Sequence, residues 1–239
     1  MDHCQTHKIS LLIASPEHLF SAFPHHRHNK FPLTLSKTKA KLGPKLMGGG
    51  YPVRVTGGAA RGRTLKSLHV PHLRPTSDRV RGALFSMLES LGVDLSSVLD
   101  LYAGTGALGI EALSRGGERA VFVERDQKLC RLIQENLRET GMAERGQVLR
   151  MSAAEAVTTL EGPFTLALAD PPYGDEDAVV QLLRLLVPSR AMAEGGLLVL
   201  EHSSRLDTQQ LSVPGWRLLR QRQYGDTAVS IYEKERSAA

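Results

Sequence analysis

From Ser97 onwards, short apolar runs alternate with longer segments in which apolar residues recur every three or four positions. The short runs predict buried strands, and the longer period predicts amphipathic helices. Regular alternation of the two predicts an α/β fold, in which a parallel sheet carries helices on both faces. A final pair of strands joined at Tyr224-Gly225-Asp226 predicts a hairpin that adds one antiparallel strand at the end of the sheet. The predicted strands are 97–101, 120–123, 147–150, 164–169, 196–200, 216–223 and 227–233, and the predicted helices are 107–115, 127–140, 153–160 and 177–187.

The part of the chain before this alternation has a different pattern. Residues 52–56 and 64–65 predict two short strands around a glycine-rich basic loop, and Ser77 and Asp78 can cap an amphipathic helix that ends near Gly92. Residues 1–47 show no sustained period, so we interpret them as a disordered leader, or as sequence translated ahead of a start at Met47. We therefore divide the chain into a leader (1–47), a basic hairpin and helix (48–92) and an α/β domain (93–235).

Composition narrows the setting of the protein. Apolar residues make up 41% of the chain, enough for a buried core, and no run approaches the roughly 18 apolar residues of a membrane span. The two cysteines, Cys4 and Cys130, suggest neither a disulfide framework nor a metal site, so we expect a cytoplasmic protein without a bound metal. The tract His25-His26-Arg27-His28 could bind a metal, but an unstructured leader is the stronger interpretation.

The net charge of +5 is unevenly distributed. Residues 1–47 contain seven Lys or Arg against two acids, and residues 48–81 contain seven against one, so residues 82–239 carry a net charge of −6. A basic strip on a mildly acidic body is typical of a surface that binds a polyanion. A solvated charged face is the alternative, but the basic residues of 48–81 lie among glycines and turn residues, which favours nucleic acid.

A glycine-rich turn follows the first strand of the α/β domain. Gly104-Thr105-Gly106-Ala107-Leu108-Gly109 matches the dinucleotide-binding pattern, and Glu124 follows the next strand, where an acid can hold ribose hydroxyls. The turn suits either a nicotinamide dinucleotide or S-adenosylmethionine. Asp100, four residues before Gly104, favours S-adenosylmethionine, because its carboxylate could meet the methionine ammonium group but would repel a pyrophosphate. Ser152-Ala153-Ala154 follows the third strand, where the adenine edge would be bound.

Asp170-Pro171-Pro172-Tyr173 closes the apolar run Phe164–Ala169 and carries the most specific chemistry. The exocyclic amine of a base is a poor nucleophile, because its lone pair is delocalised into the ring. Asp170 and the carbonyl of Pro171 can accept its hydrogens, and the prolines fix both acceptors before reaction. Tyr173 can stack on the base, which must first leave its helix. The two motifs together predict an amino-methyltransferase that acts on a base.

Four segments resemble the bacterial RsmD family of 16S ribosomal RNA guanine-N(2) methyltransferases: Arg54–Gly58, Arg61–Arg63, Leu73–Arg81 and Ala107–Arg115. The likeness runs from about Val53 to Tyr232, and an aspartate at Asp170 in place of asparagine is compatible with the family. The resemblance implies a seven-stranded class I methyltransferase sheet with a small N-terminal extension. It also implies methyl transfer to one guanine of 16S rRNA in a small-subunit particle, by a protein that we expect to be monomeric.

On this interpretation three groups of residues form the site. Asp170, Pro171, Pro172 and Tyr173 bind the amine, and the cofactor is held by Asp100, Tyr102, Gly104, Gly106, Glu124 and Ala153. The residues that contact phosphates are Arg54, Arg61, Arg63, Arg74, Arg79 and Arg81. Arg79 or Arg81 could instead meet the cofactor carboxylate, and we interpret Arg217, Arg220 and Arg222 as surface residues of a strand.

Three alternatives stay open. Related four-residue motifs occur in amino-methyltransferases that act on DNA adenine or cytosine and on protein glutamine. A nicotinamide oxidoreductase could use the same glycine-rich turn. A non-catalytic RNA-binding assembly factor could retain the fold without transferring a methyl group.

Overall fold

The computed structural model describes residues 53–68, 77–172, 175–206 and 211–236, all within one compact unit that spans Lys41–Ala239. The predictions about residues 1–47, Arg74 and Tyr173 fall outside the described residues. The strands within these ranges are β1 (Val53–Arg54), β2 (Thr64–Leu65), β3 (Ser97–Leu101), β4 (Arg119–Glu124), β5 (Gly146–Arg150), β6 (Phe164–Ala169), β7 (Met192–Ser203), β8 (Trp216–Tyr224) and β9 (Thr227–Lys234). The helices are α1 (Asp78–Ser90), α2 (Ala107–Ser114), α3 (Gln127–Thr140), α4 (Ala153–Thr159) and α5 (Glu176–Leu186), with a short 3₁₀ turn at Ala143–Arg145.

The central sheet has seven strands in the order β5-β4-β3-β6-β7-β9-β8. β3 to β7 run parallel, whereas β9 is antiparallel to both β7 and β8. The predicted seven-stranded α/β fold with a closing hairpin is therefore confirmed. None of the helices in the described ranges is both long and apolar enough to cross a bilayer.

β7 is much longer than the sequence predicts, whereas the other strands of the central sheet differ from prediction by two residues at most. β7 begins at Met192, where the prediction began at Gly196, because Met192 pairs with Phe164 before the ladder shifts register and resumes at Leu197. Gly195 and Gly196 lie in this irregular stretch, and Gly195 has a left-handed φ of 76°. Glycine weakens the strand signal in the sequence, although the backbone continues through it.

The basic N-terminal extension packs on the sheet and shares its core. β1 and β2 form an antiparallel pair, and Val53 and Leu65 belong to the same buried cluster as Phe85 of α1 and Ile231 of β9. The loop between β1 and β2 lies against the end of α2, where a Cβ on Gly58 would approach the Ser114 carbonyl oxygen to 1.8 Å. The glycines that sequence analysis linked to nucleic acid thus permit close contact between this loop and α2.

Candidate active site

The two predicted motifs emerge side by side from the sheet. Leu101, the last residue of β3, pairs with Ala169, the last residue of β6, so Tyr102 and Asp170 follow at the same edge. Neighbouring strands lie about 4.8 Å apart, which brings the glycine turn and the Asp170–Pro172 corner next to each other. The chain order reverses between β3 and β6, and ligands of open α/β sheets bind at such a switch point.

The glycine turn has the backbone geometry of a ligand loop. Gly104 and Gly106 have left-handed φ angles of 55° and 77°, and Gly106 is the N-cap of α2. Tyr102 has a φ of 59°, which costs a non-glycine residue about 1–3 kcal/mol and is concentrated at functional sites. Burial raises the pKa of the half-buried Tyr102 hydroxyl. The chain therefore turns sharply at the predicted cofactor site.

Glu124 lies at the end of β4, beside this turn, and is 8% exposed. One carboxylate oxygen accepts the Gly104 N–H (3.0 Å) and the other accepts the Asp126 N–H (2.9 Å). Because a carboxylate offers about four lone-pair positions, two remain to accept further donors. The arrangement fits the predicted contact with ribose hydroxyls.

Asp100 corrects one prediction. Its side chain is 1% exposed and accepts the Gly109 N–H of α2 at 2.8 Å, so it faces the helix and not the cleft. Burial raises the pKa of the Asp100 carboxyl to about 8. A buried side chain directed at the Gly109 N–H beneath the helix is not placed for the direct ion pair with a cofactor ammonium that we expected. Asp100 instead holds the first turns of α2 against β3.

This burial predicts a pH-dependent stability. Between about pH 4 and pH 8 the folded protein holds a proton on Asp100 that the unfolded chain has released, so the free energy of unfolding falls as pH rises. Asp100→Asn keeps an oxygen for the Gly109 N–H and removes the titration. We expect its urea midpoint to fall less than that of the wild type between pH 5 and pH 8.

Asp126→Asn is the matched control. Asp126 caps α3, and its hydrogen bonds from Leu129 and Lys128 lower the pKa of its carboxyl, so it stays charged in both states over this range. That substitution is expected to shift the midpoint equally at both pH values. Parallel pH profiles for the wild type and Asp100→Asn would contradict the assigned role.

Ala153 is placed two strands away from β3, at the same edge of the sheet. It is the first residue of α4, is 5% exposed and follows β5, which pairs with β4. Ser152 caps the helix by accepting the Glu155 N–H at 3.1 Å. Its position is compatible with the predicted contact to adenine, which remains a prediction.

The Asp170–Pro172 corner lies between the end of β6 and the capped start of α5. Asp170 is half-buried, Pro171 is buried and Pro172 is exposed. The Pro172 carbonyl accepts the Asp175 N–H at 3.2 Å, and the Asp175 side chain caps α5 by accepting the Ala178 N–H at 3.0 Å. The two prolines and the capped helix fix the backbone at the point where an amine would have to be oriented.

The arginines that we predicted to contact phosphates fall into an exposed group and a buried one. Arg54, Arg61, Arg63 and Arg79 are exposed, although the Arg63 guanidinium donates to the Glu139 carbonyl. Arg61 belongs to the loop that packs on Ser114, at the end of α2 remote from the glycine turn. It is therefore about one helix length, roughly 12 Å, from the cofactor site.

Arg81 is a further correction. Its side chain is fully buried, and it bonds to Asp78 (2.8 Å), Glu111 (3.4 Å) and the Arg54 carbonyl. A guanidinium with no exposed surface cannot contact an RNA phosphate or a cofactor carboxylate. Arg81 instead joins the hairpin, α1 and α2.

Asn136, which belongs to neither predicted motif, connects the hairpin to the glycine turn. The fully buried amide accepts the Lys66 N–H (2.8 Å) and donates to the carbonyls of Lys66 (3.1 Å) and Thr105 (2.9 Å). A polar residue on the apolar face of α3, beside Ile133 and Leu137, was the available signal. Asn136 acts through the backbone of Thr105, so it is a positioning residue.

Loss of this link is expected to loosen the turn. Asn136→Ala leaves the buried Thr105 carbonyl without this partner, which costs about 1–3 kcal/mol, and removes two part-buried hydrogen bonds to the Lys66 backbone. We expect a lower denaturant midpoint and weaker S-adenosylhomocysteine affinity, measured by calorimetry. Thr158→Ala on α4, which removes exposed hydrogen bonds only, should leave both unchanged. Full cofactor affinity in a destabilised Asn136→Ala variant would show that the link supports only the fold.

Comparison with known proteins agrees with this geometry. The family model described as "Conserved hypothetical protein 95" matches residues 53–233. The chain is 36% identical over 185 residues to "Putative rRNA methyltransferase YlbH" of Bacillus subtilis, covering 76% of this chain and 99% of that one. It is 34% identical over 188 residues to "Ribosomal RNA small subunit methyltransferase D" of Escherichia coli, covering 78% and 92%.

Solved structures of methyltransferases also resemble this chain. "Putative methyltransferase yhhF from Escherichia coli" superposes with a TM-score of 0.67 at 32% identity and covers 78% of this chain and all of that one. An RNA methyltransferase from Salinibacter ruber in complex with S-adenosyl-L-homocysteine, at 21% identity and a TM-score of 0.53, shares the fold.

In the described ranges, no group of three or more His, Cys, Asp or Glu could hold a metal ion. By sequence and fold, the chain belongs to the RsmD family of S-adenosylmethionine-dependent ribosomal RNA methyltransferases.

Proposed function

We propose that this enzyme methylates the exocyclic N2 amine of one guanine in 16S rRNA, acting as a monomer on a small-subunit particle. The pairing of Leu101 with Ala169 carries the proposal, because it sets the cofactor turn and the amine-binding corner at adjacent strand ends. A methyl donor and an acceptor amine must lie within contact of each other at the moment of transfer. Ribosomal RNA as substrate also implies action in the cytoplasm.

The residues present fit S-adenosylmethionine. The left-handed turn at Gly104 and Gly106 brings backbone close to a ligand, and the Glu124 carboxylate has acceptor capacity for ribose hydroxyls. Ala153, which is largely buried at the start of α4, follows β5 at the same edge of the sheet, where we expect adenine to bind. S-adenosylmethionine, when bound, supplies an electrophilic methyl group on a sulfonium.

The protein's task is to present the amine lone pair. Asp170 and the Pro171 carbonyl accept the two amine hydrogens, which turns the lone pair out of conjugation and toward the donor. The Asp170 charge also stabilises the positive charge that develops on nitrogen during transfer. Tyr173 stacks on the extruded base, and exposed Arg54, Arg61 and Arg79 hold phosphates around it.

A substrate panel tests the proposal. The full-length protein is incubated with methyl-labelled S-adenosylmethionine and small-subunit particles, naked 16S rRNA, duplex DNA or ribosomal protein. We expect label in rRNA, and mass mapping should find it as N2-methylguanine at one nucleotide. Transfer to DNA or to protein glutamine would move the enzyme to another substrate class.

Two further outcomes would overturn the proposal altogether. Particle binding without methyl transfer would indicate an assembly factor on a related fold. Thermal stabilisation by NADH but not by S-adenosylhomocysteine would indicate an oxidoreductase.

A further inference from the structure

The edge strand β8 carries three arginines at uneven spacing, Arg217, Arg220 and Arg222. In a regular strand, a separation of three residues places the first two on opposite faces. The ladder with β9 shifts register between Leu218 and Arg220, so one extra residue is inserted there. Such a β-bulge re-aims the side chains that follow it.

The bulge brings the three arginines to one face. Arg217 pairs with Glu233, Arg220 with Ile231 and Arg222 with Val229, and these partners alternate along β9 on a single side of the sheet. Val229 and Ile231 belong to the buried cluster that contains Leu84 and Phe85 of α1. The arginines therefore lie on the face of the sheet that carries α1 and the basic hairpin.

One end of the arginine-bearing part of β8 lies in the same cross-strand row as the end of β6, where the candidate active site begins. Ala169 pairs with Leu200, so Glu201 follows beside Asp170, and Glu201 lies in one row with Val229 and Arg222. Three strand intervals separate Asp170 from Arg222, about 14 Å. A few nucleotides of RNA span that distance.

The three arginines of β8 differ in whether they form a salt bridge with an acidic side chain. Arg217 donates to Glu233 (Nε to Oε2, 3.0 Å), whereas Arg220 and Arg222 are exposed and form no salt bridge within the described ranges. Among the described residues that continue this row across the sheet from Asp170, Arg222 is the basic one, so it can attract a phosphate that flanks a bound base.

Protection of the sheet edge is the competing explanation. Charged side chains and β-bulges on an edge strand both discourage pairing with another chain. That role works with charges on either face, so it does not account for three arginines gathered on one side. A one-sided row directed along the face of the RNA-binding extension fits a phosphate backbone better.

We propose that Arg220 and Arg222 form a second RNA-contacting surface, which binds phosphates flanking the target guanine. The inference rests on the proposed function and extends it from the N-terminal hairpin to the opposite edge of the sheet. It replaces the interpretation of these arginines as ordinary surface residues of a strand.

The test is the salt dependence of RNA binding. R220A/R222A should lower the slope of log affinity against log salt by about 1.4 to 1.8, from about 0.7 to 0.9 per phosphate contact. R220K/R222K keeps both charges and should keep the slope. The matched control is R184A/R190A, which removes two exposed arginines on and after α5. α5 lies on the opposite face, where the Trp216 indole reaches the Leu183 carbonyl, so this slope should be unchanged.

Three outcomes would overturn the inference. The slope of R220A/R222A could be unaltered, or R184A/R190A could lower it equally, which would show an effect of net charge. Alternatively, R220A/R222A could self-associate in sedimentation while binding RNA as before, which would show edge protection. Each comparison uses a wild type whose methylation of 16S rRNA has been measured first. A wild type that methylates no RNA contradicts the proposed function, whereas an active wild type with an insensitive variant contradicts only this inference.

Discussion

Asp170→Ala is expected to lower turnover on small-subunit rRNA at least about 100-fold while leaving S-adenosylhomocysteine affinity unchanged. The substitution removes the acceptor that orients the amine and the charge that stabilises the transition state. Glu124 ends β4, on the other side of β3 from β6, and its carboxylate holds the Gly104 N–H of the cofactor turn. The loss should therefore appear in kcat and not in cofactor binding, measured by single-turnover kinetics and calorimetry.

Two further variants define what the carboxylate does. Asp170→Asn keeps an oxygen acceptor, so it should retain far more activity than alanine if accepting the amine hydrogen is the main contribution. Asp177→Ala removes an exposed acid from the first turn of α5 and should leave turnover within a few fold. Full turnover in Asp170→Ala would remove the proposed mechanism, whatever the family.

The sheet and the two motifs could be predicted from the sequence because their signals are local. Buried parallel strands such as β3 and β6 are continuous apolar runs, and each motif follows its strand directly. Parallel strands end at one edge, so the motifs had to meet if the strands were neighbours. Only the neighbour relation itself, Leu101 beside Ala169, required the structure.

The errors and the omission concern polar side chains whose partners lie on other elements of the fold. Arg81 pairs with Glu111, 30 residues away, and Asn136 bonds to Lys66, 70 residues away. An arginine in a basic segment has the same sequence signature whether it faces solvent or a buried carboxylate. Likewise, the position of Asp100 before a glycine turn does not show that α2 folds over it and donates the Gly109 N–H. Burial, which only tertiary packing decides, separates these cases.

The buried cluster around Glu111 gives the second large effect. The carboxylate is fully buried and accepts the Thr56 N–H (2.7 Å), the Thr56 hydroxyl (2.7 Å) and Nε of Arg115 (2.8 Å), with Nε of Arg81 at 3.4 Å. It thus holds the hairpin and α1 on α2, the helix that begins at the glycine turn. Glu111→Ala leaves the Arg81 cation buried without this partner, which costs about 3–5 kcal/mol in comparable cases. We expect a lower urea midpoint with an unchanged m-value.

The cluster provides its own control. Glu89 also binds Arg115, at 2.6 Å, but its side chain is 56% exposed, so Glu89→Ala should cost about 1 kcal/mol or less. The combined variant R81M/E111L removes both buried charges and should be more stable than the sum of its single variants predicts. A Glu111→Ala protein within about 1 kcal/mol of the wild type would contradict the assignment.

Because domain stabilities are typically about 5–15 kcal/mol, the loss expected for Glu111→Ala is large enough to detach the hairpin from α2 in a protein that still folds. RNA affinity should then fall more than cofactor affinity, since the hairpin carries Arg54 and Arg61 while the Gly104–Glu124 contact lies outside the cluster.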